Sequence, residues 1–158
     1  RWDEKALIRA ATKAKVELKV IDPKATFFDT AVDQKRVTGE YGEVVLQRCV
    51  SYFRGLHVTA VLENSGIHVI NPLLVSITCG NKLYTTLALI SAGIPTPRTL
   101  VAFTEEGVHK AMEDLGYPAV SKPVVGSWGR LITLIKDKDS AQAPVELREQ
   151  MNNALLHT

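Results

Sequence analysis

The chain has 158 residues, of which 46% are hydrophobic and 23% are charged, and its formal net charge is +2. This composition is that of a globular chain of one domain or two small ones, and it excludes a disordered protein. So small a positive charge, without a concentrated basic face, argues against nucleic acid as a partner. No apolar run approaches the roughly 18 residues of a membrane span, and the N-terminus is no signal peptide. We therefore expect a cytoplasmic protein without a membrane partner.

The first residues predict one helix and two strands. Apolar spacing predicts a helix over Trp2–Ala14, and alternation of apolar and polar residues predicts a half-buried strand over Val16–Ile21. A second, short strand is predicted at Thr26–Phe28, and polar turns are predicted across Val32–Gly42.

A strand–helix–strand unit follows. Glu43–Leu46 is predicted as a strand, Ser51 as the cap of a helix that reaches about Asn64, and Ile67–Ile70 as the next strand. Strands joined by one helix pair in parallel, so we expect an α/β fold. The predicted buried face of the helix consists of Phe53, Leu56, Ala60 and Val61.

A turn-rich segment then divides the chain. A short helix after Asn71-Pro72 and a longer one over about Asn81–Ala92 precede Gly93–Pro97, a stiff stretch with a glycine and two prolines. We place the domain boundary there, which gives domains 1–94 and 95–158. The predicted buried stripe of the longer helix consists of Leu83, Leu87 and Ile90.

The second domain is predicted to begin with a strand at Arg98–Phe103 and a helix from its Thr104 cap to Gly116. The predicted inward side of that helix carries Val108, Met112 and Leu115. Two further strands and a final helix follow: Pro118–Lys122, Leu131–Lys136 and a helix from about Pro144.

A glycine loop, Gly126-Ser127-Trp128-Gly129-Arg130, joins the last two predicted strands. Such a loop is most often only a hairpin turn, but it can also turn several backbone N–H groups toward one anion. Lys122 before the loop and Arg130 at its end add positive charge, which suits a polyphosphate. Trp128 either covers a purine or packs against the core.

Other candidate residues are fewer and leave alternatives open. Lys82, at the start of a predicted helix, is either a solvated lysine or a second phosphate-binding cation. Arg48, after a predicted parallel strand, either binds a substrate carboxylate or anchors a loop. Cys49 and Cys79 form a disulfide or, more simply, remain two buried thiols. No pair of carboxylates and no histidine stands at a spacing typical of a catalytic or metal site.

The stretch Val-Ser-Lys-Pro-Val-Val-Gly-Ser-Trp-Gly-Arg resembles the nucleotide-covering segment of ATP-grasp ligases, and more narrowly of the LysX type. These ligases join alpha-aminoadipate or glutamate to the carrier protein LysW in lysine and arginine biosynthesis. The related RimK-type glutamate ligases share the plan but usually lack that Trp and Arg. Further similar stretches follow in the family's order: Leu46–Ser51, Arg54–Leu56, Gly66–Pro72, Cys79–Lys82 and Ala92–Pro97.

The resemblance implies a parallel-sheet pre-ATP-grasp domain followed by the first α+β lobe of an ATP-grasp fold. It also implies that Lys82 and Lys122 hold the phosphates of ATP and that Gly126–Arg130 covers them. The implied reaction phosphorylates the carrier's C-terminal glutamate, and the amine of the amino acid then attacks the acyl phosphate. Mg²⁺, an acidic LysW-like carrier, a small amino-acid substrate and a homo-oligomer are implied with it.

Three departures from the family qualify these expectations. Asn81 stands where the family commonly has Asp, and Ser121 replaces an apolar residue. The sequence also holds neither the family's first strand nor its second lobe, which carries the metal-binding acids. We therefore expect no catalytic residue and no metal ligand in these 158 residues. A non-catalytic module that binds nucleotide or carrier is the alternative from another class.

Overall fold

The computed structural model describes residues 2–30, 39–126, 129, 131–143 and 146. Contacts between Cα atoms divide the chain into two compact units, Arg1–Ser76 and Ile77–Thr158. The domain boundary that the sequence predicts, between residues 94 and 95, stays a prediction.

The first unit contains a parallel strand–helix–strand arrangement. Helix α1 spans Trp2–Ala14, strand β1 spans Val44–Leu46, helix α2 spans Tyr52–Asn64 and strand β2 spans His68–Ile70. The two strands are parallel, with the middle residue of each opposite the other. The predicted βαβ unit is therefore confirmed. Helix α3, Leu73–Gly80, follows β2.

The core of this unit lies between α2 and β2. Leu62 is 2% exposed, Ile67 3% and Val69 1%. Partly buried residues from earlier in the chain pack against these three side chains, and they include a stacked pair, Phe28 and Tyr41, with ring centroids 5.4 Å apart. The segment before β1 thus contributes aromatic surface to the core without being a strand.

Helix α2 buries a different face from the one that the sequence predicts. Its buried residues are Gly55, Thr59 and Leu62, whereas the predicted Phe53 is 63% exposed. Gly55 accounts for the difference, because its missing side chain leaves space that the carboxamide of Gln47 occupies. The helix therefore approaches the segment after β1 on its glycine side.

Three predicted strands are wrong. The residues of Val16–Ile21, Thr26–Phe28 and Arg98–Phe103 belong to no strand in the structure. Alternation describes which side chains would share a face, but a strand also needs a neighbouring backbone to pair with. The described residues supply no such neighbour for these segments, and Val20 and Phe103 are 70% and 92% exposed.

The second unit combines helices with an antiparallel hairpin. Helix α4 spans Lys82–Ser91 and helix α5 spans Glu105–Leu115. Strands β3, Ala119–Ser121, and β4, Thr133–Ile135, are antiparallel neighbours. The hairpin predicted around the glycine loop is thus confirmed. A short 3₁₀ helix, Asp139–Ala141, follows β4, and the final helix predicted from about Pro144 lies largely outside the described residues.

The core of the second unit lies between α5, β4 and the 3₁₀ helix. Met112, Ile135 and Ala141 are buried there, and Val108 packs against them. The predicted inward side of α5 is confirmed. The predicted buried stripe of α4 is wrong, since Leu87 and Ile90 are 50% and 56% exposed. Helical spacing shows that such residues share a side, but burial requires a partner surface for that side.

Both cysteines are free thiols. Cys79 is exposed, so the prediction that both thiols are buried is wrong for Cys79. The side chain of Cys49 is half-buried, and this burial raises the pKa of its thiol above 9.0 even though the nearby Arg54 opposes the shift. None of the helices in the described part of the chain combines the length and the apolar character that a membrane span requires.

Candidate functional site

The candidate site begins at the junction between α3 and α4. Asn81, between the two helices, has extended backbone geometry, and its Oδ1 accepts a hydrogen bond from the backbone N–H of Tyr84 at 3.1 Å. This is the geometry of a helix N-cap, in which a side chain satisfies an otherwise unpaired N–H group. Lys82 is therefore the first residue of α4, where the sequence predicts the start of a helix.

A second residue strengthens the same junction. The Thr85 hydroxyl donates to the carbonyl oxygen of Thr78 at 2.8 Å and also lies 3.0 Å from the carbonyl oxygen of Asn81. Thr78 belongs to α3 and Thr85 to α4, so the hydroxyl connects the end of one helix to the beginning of the next. This connection limits how the two helices can move around Asn81.

The junction contacts the segment that follows β3. Asn81 and Val125 form an antiparallel β-bridge, and the backbone N–H of Lys82 donates to the carbonyl oxygen of Val124 at 2.8 Å. The Lys82 ammonium Nζ donates to the carbonyl oxygen of Gly126 at 3.0 Å. Lys82 therefore touches the first residue of the glycine loop, 44 positions later in the sequence.

The glycines of the loop occupy restricted positions. A Cβ on Gly126 would lie 3.2 Å from Cγ of Pro123, which is closer than most real contacts, and Gly129 has a φ of +67°. A left-handed φ favours glycine because a side chain would clash with the backbone there. Lys122, after β3, is exposed. The remaining predicted loop residues, Ser127, Trp128 and Arg130, lie outside the described residues.

The arrangement places cations beside exposed backbone. Lys82 is half-buried and Lys122 is exposed, and both belong to segments that meet at the Asn81–Val125 bridge. An ammonium group beside the backbone of a glycine turn, as Lys82 is here, can contribute to binding an anion with several oxygens. The site roles of Lys82, Lys122 and Gly126–Arg130 stay predictions, while the contact between Lys82 and Gly126 is a feature of the structure.

Arg48 has a partner of its own. Its guanidinium forms an ion pair with the carboxylate of Asp3, in the first turn of α1. This pair connects α1 to the segment after β1, which agrees with the anchoring alternative for Arg48. Its binding of a substrate carboxylate stays a prediction.

The hydrogen bonds by which Asn81 and Thr85 hold the junction between α3 and α4 are not predicted from the sequence. Asn81 is predicted to open a helix and departs from a family pattern, but its role as an N-cap is not predicted, although Asn directly before a helix is a common N-cap. The Thr85 hydroxyl gives no such local signal, because its contact to Thr78 depends on the angle between two helices. Among the described residues, no three His, Cys, Asp or Glu side chains stand close enough to hold a metal ion.

Comparison with known proteins gives consistent results. Residues 1–78 match the family described as the LysX preATP-grasp domain. The chain is 36% identical to the glutamate–LysW ligase ArgX of Sulfurisphaera tokodaii over 156 residues, which are 99% of this chain and 54% of that protein. It is also 36% identical to the alpha-aminoadipate–LysW ligase LysX of the same organism over 149 residues, 94% of this chain and 52% of the relative.

A solved structure shows the same fold. The crystal structure of a RimK domain ATP-grasp protein from Sphaerobacter thermophilus superposes with a TM-score of 0.76 at 27% sequence identity. The match covers 94% of this chain and 56% of that one. The chain thus spans about half the length of the curated relatives that it matches. These similarities confirm the predicted α/β fold with a pre-ATP-grasp domain.

Proposed function

We propose that this chain, which belongs to the LysX and RimK-like ATP-grasp ligases, binds the phosphates of ATP in a ligase for a LysW-type carrier protein. The ligase would join an amino acid to the C-terminal glutamate of the carrier through an acyl phosphate. The observation that carries this proposal is the hydrogen bond from Lys82 to Gly126, which unites a cation with the predicted phosphate-covering loop.

The residues of this chain would act by binding and positioning. Lys82 and Lys122 would neutralise phosphate charge, and the backbone from Gly126 onward would cover the phosphates, with Ser127, Trp128, Gly129 and Arg130 included by resemblance. Phosphoryl transfer depends mainly on such positioning and charge stabilisation. The carboxylate attacks the γ-phosphorus of ATP and ADP leaves; the amine then displaces phosphate to form the amide.

Mg²⁺ belongs to this proposal only through the family resemblance. The described residues do not supply a cluster of ligands for it. A cytoplasmic location and a homo-oligomeric assembly are proposed on the same ground. The relatives are named for two different amino acids, glutamate and alpha-aminoadipate, and we propose that one of these two is the substrate.

The test measures ATP binding by calorimetry, and ADP release by a ligase that contains these residues together with a second ATP-grasp lobe, in the presence of LysW and either amino acid. Replacing either lysine (Lys82→Ala or Lys122→Ala) should weaken ATP binding about tenfold or more, because a charge-assisted contact to phosphate is lost. Lys138→Ala is the matched control, since Lys138 pairs with Glu113 at 3.2 Å. Wild-type ATP affinity and ligation in both site variants would contradict the proposal. ATP binding without ADP release would favour the non-catalytic module.

A RimK-type glutamate ligase is the second candidate, favoured by the structural neighbour with a TM-score of 0.76. The two candidates differ in the acceptor. Ligation of glutamate to a ribosomal-protein C-terminus, and none to LysW, would support the RimK type. Ligation to LysW alone would support the LysX type.

A further inference from the structure

We propose that Asn81 is a positioning residue for ATP, which determines where Lys82 meets the phosphates without touching the nucleotide. The inference rests on the proposed function, because it takes Lys82 to be a phosphate ligand. It adds Asn81, whose side-chain amide affects ATP binding by fixing the position of the neighbouring Lys82.

Asn81 holds the junction from two sides. Its side chain caps α4 through the N–H of Tyr84 at 3.1 Å, and its backbone is bridged to Val125. The cap determines at which residue the helix begins. The bridge determines how close that first residue lies to the segment after β3.

Lys82 depends on both contacts. Its backbone N–H reaches the carbonyl oxygen of Val124 at 2.8 Å, beside the bridge, and its ammonium reaches Gly126 at 3.0 Å. A lysine side chain has many rotamers, so its ammonium is localised only as well as its backbone is held. Loss of the cap would let the first turn of α4 fray and would spread the ammonium over more positions.

The neutral amide of Asn81 also suits its location. Asn and Ser cap helices about equally well, and both lack charge. A neutral cap stabilises the start of α4 through the hydrogen bond alone, without adding a charge beside Lys82. Serine is therefore the conservative replacement, and alanine is the replacement that removes the cap.

The experiment measures the Kd for ATP by calorimetry and the melting temperature of each variant. Asn81→Ala should weaken ATP binding about fivefold. Loss of one helix cap costs about 1 kcal/mol, and part of the binding energy would have to restore the position of Lys82. Asn81→Ser should restore affinity to near the wild-type value. In a Lys82→Ala background, Asn81→Ala should cause no further loss of affinity, because Asn81 affects ATP binding only through Lys82.

Thr104→Ala is the matched control, because the Thr104 hydroxyl caps α5 by accepting from the N–H of Gly107 at 3.1 Å. It should lower the melting temperature as much as Asn81→Ala and leave the Kd for ATP unchanged. Wild-type affinity in Asn81→Ala would overturn the inference, as would an equal loss of affinity with and without Lys82. Either result leaves the proposed function standing. A wild-type protein that binds no ATP would overturn both.

Discussion

At the scale of single residues, Gly55 shows how one missing side chain sets the packing of a helix. A Cβ at this position would collide with the carboxamide of Gln47, and that carboxamide accepts a hydrogen bond from the N–H of Cys49 at 2.9 Å. Glycine in a helix interior normally costs about 1 kcal/mol relative to alanine. The hydrogen bond between Gln47 and Cys49, which the small Gly55 leaves room for, therefore offsets the low helix propensity of glycine.

Gly55→Ala should for this reason leave the free energy of unfolding nearly unchanged. The gain in helix propensity, about 1 kcal/mol, is offset by displacement of Gln47 and loss of its bond to Cys49, also about 1 kcal/mol. In a Gln47→Ala background the same substitution should stabilise the protein by about 1 kcal/mol. Chemical denaturation of the four proteins measures this coupling, and equal effects in both backgrounds would contradict it.

At the scale of elements, capping residues define several boundaries. Ser51 accepts from the N–H of Arg54, Asn81 from that of Tyr84 and Thr104 from that of Gly107. Gly116, after α5, has a φ of +85°. Each of these signals lies within a few residues of the boundary that it fixes.

The 3₁₀ helix after β4 gives a prediction of pH dependence. The backbone N–H of Ser140 donates to the Asp137 carboxylate at 2.8 Å, and this bond, together with the Ser140 hydroxyl, holds the pKa of Asp137 below its ordinary 3.8. A lowered folded-state pKa means that the ionised carboxylate stabilises this turn above pH 3.8. That contribution is lost as the pH falls through the lower, folded-state pKa.

Ser140→Ala should raise the pKa of Asp137 part of the way toward 3.8, because the hydroxyl is lost while the backbone N–H, the larger cause, remains. An NMR titration of the Asp137 carboxyl carbon measures the shift. Ser76→Ala, a serine-to-alanine change on α3, is the control and should leave it unchanged. An unchanged Asp137 pKa in Ser140→Ala would show that the hydroxyl has no part in it.

How much the sequence could predict also differs by element. The helices, their caps and the hairpin follow from local signals such as Ser51, Thr104 and the glycine loop. The segment Val16–Ile21 alternates like a strand but lacks a described partner, and alternation alone cannot supply one. The contact between Lys82 and Gly126 joins residues 44 positions apart, and no local pattern predicts that two such residues touch.

At the scale of the whole molecule, the described residues form two small cores rather than one large one. One core contains Leu62, Ile67 and Val69, and the other contains Met112, Ile135 and Ala141. Many large apolar side chains elsewhere are substantially exposed. Small cores contribute little stability in total, so each buried side chain in them accounts for a large share.

Ile135→Ala should lower the free energy of unfolding by about 2–5 kcal/mol, because Ile135 is fully buried and its loss leaves a cavity. Ile135→Val should cost only about 1 kcal/mol. Leu134→Ala is the control on the same strand, since Leu134 is 56% exposed. Equal losses for Ile135→Ala and Leu134→Ala in urea denaturation would contradict the assignment of this core.

The bridge between Asn81 and Val125 has a consequence for the order of folding. Helices α4 and α5 and the β3–β4 hairpin contain mainly contacts between residues near in sequence, and such contacts form early. The bridge closes a loop of more than forty residues. Closing this loop costs conformational entropy, which delays the contact between Lys82 and Gly126. The chain should therefore form its helices first and the contact between Lys82 and Gly126 last.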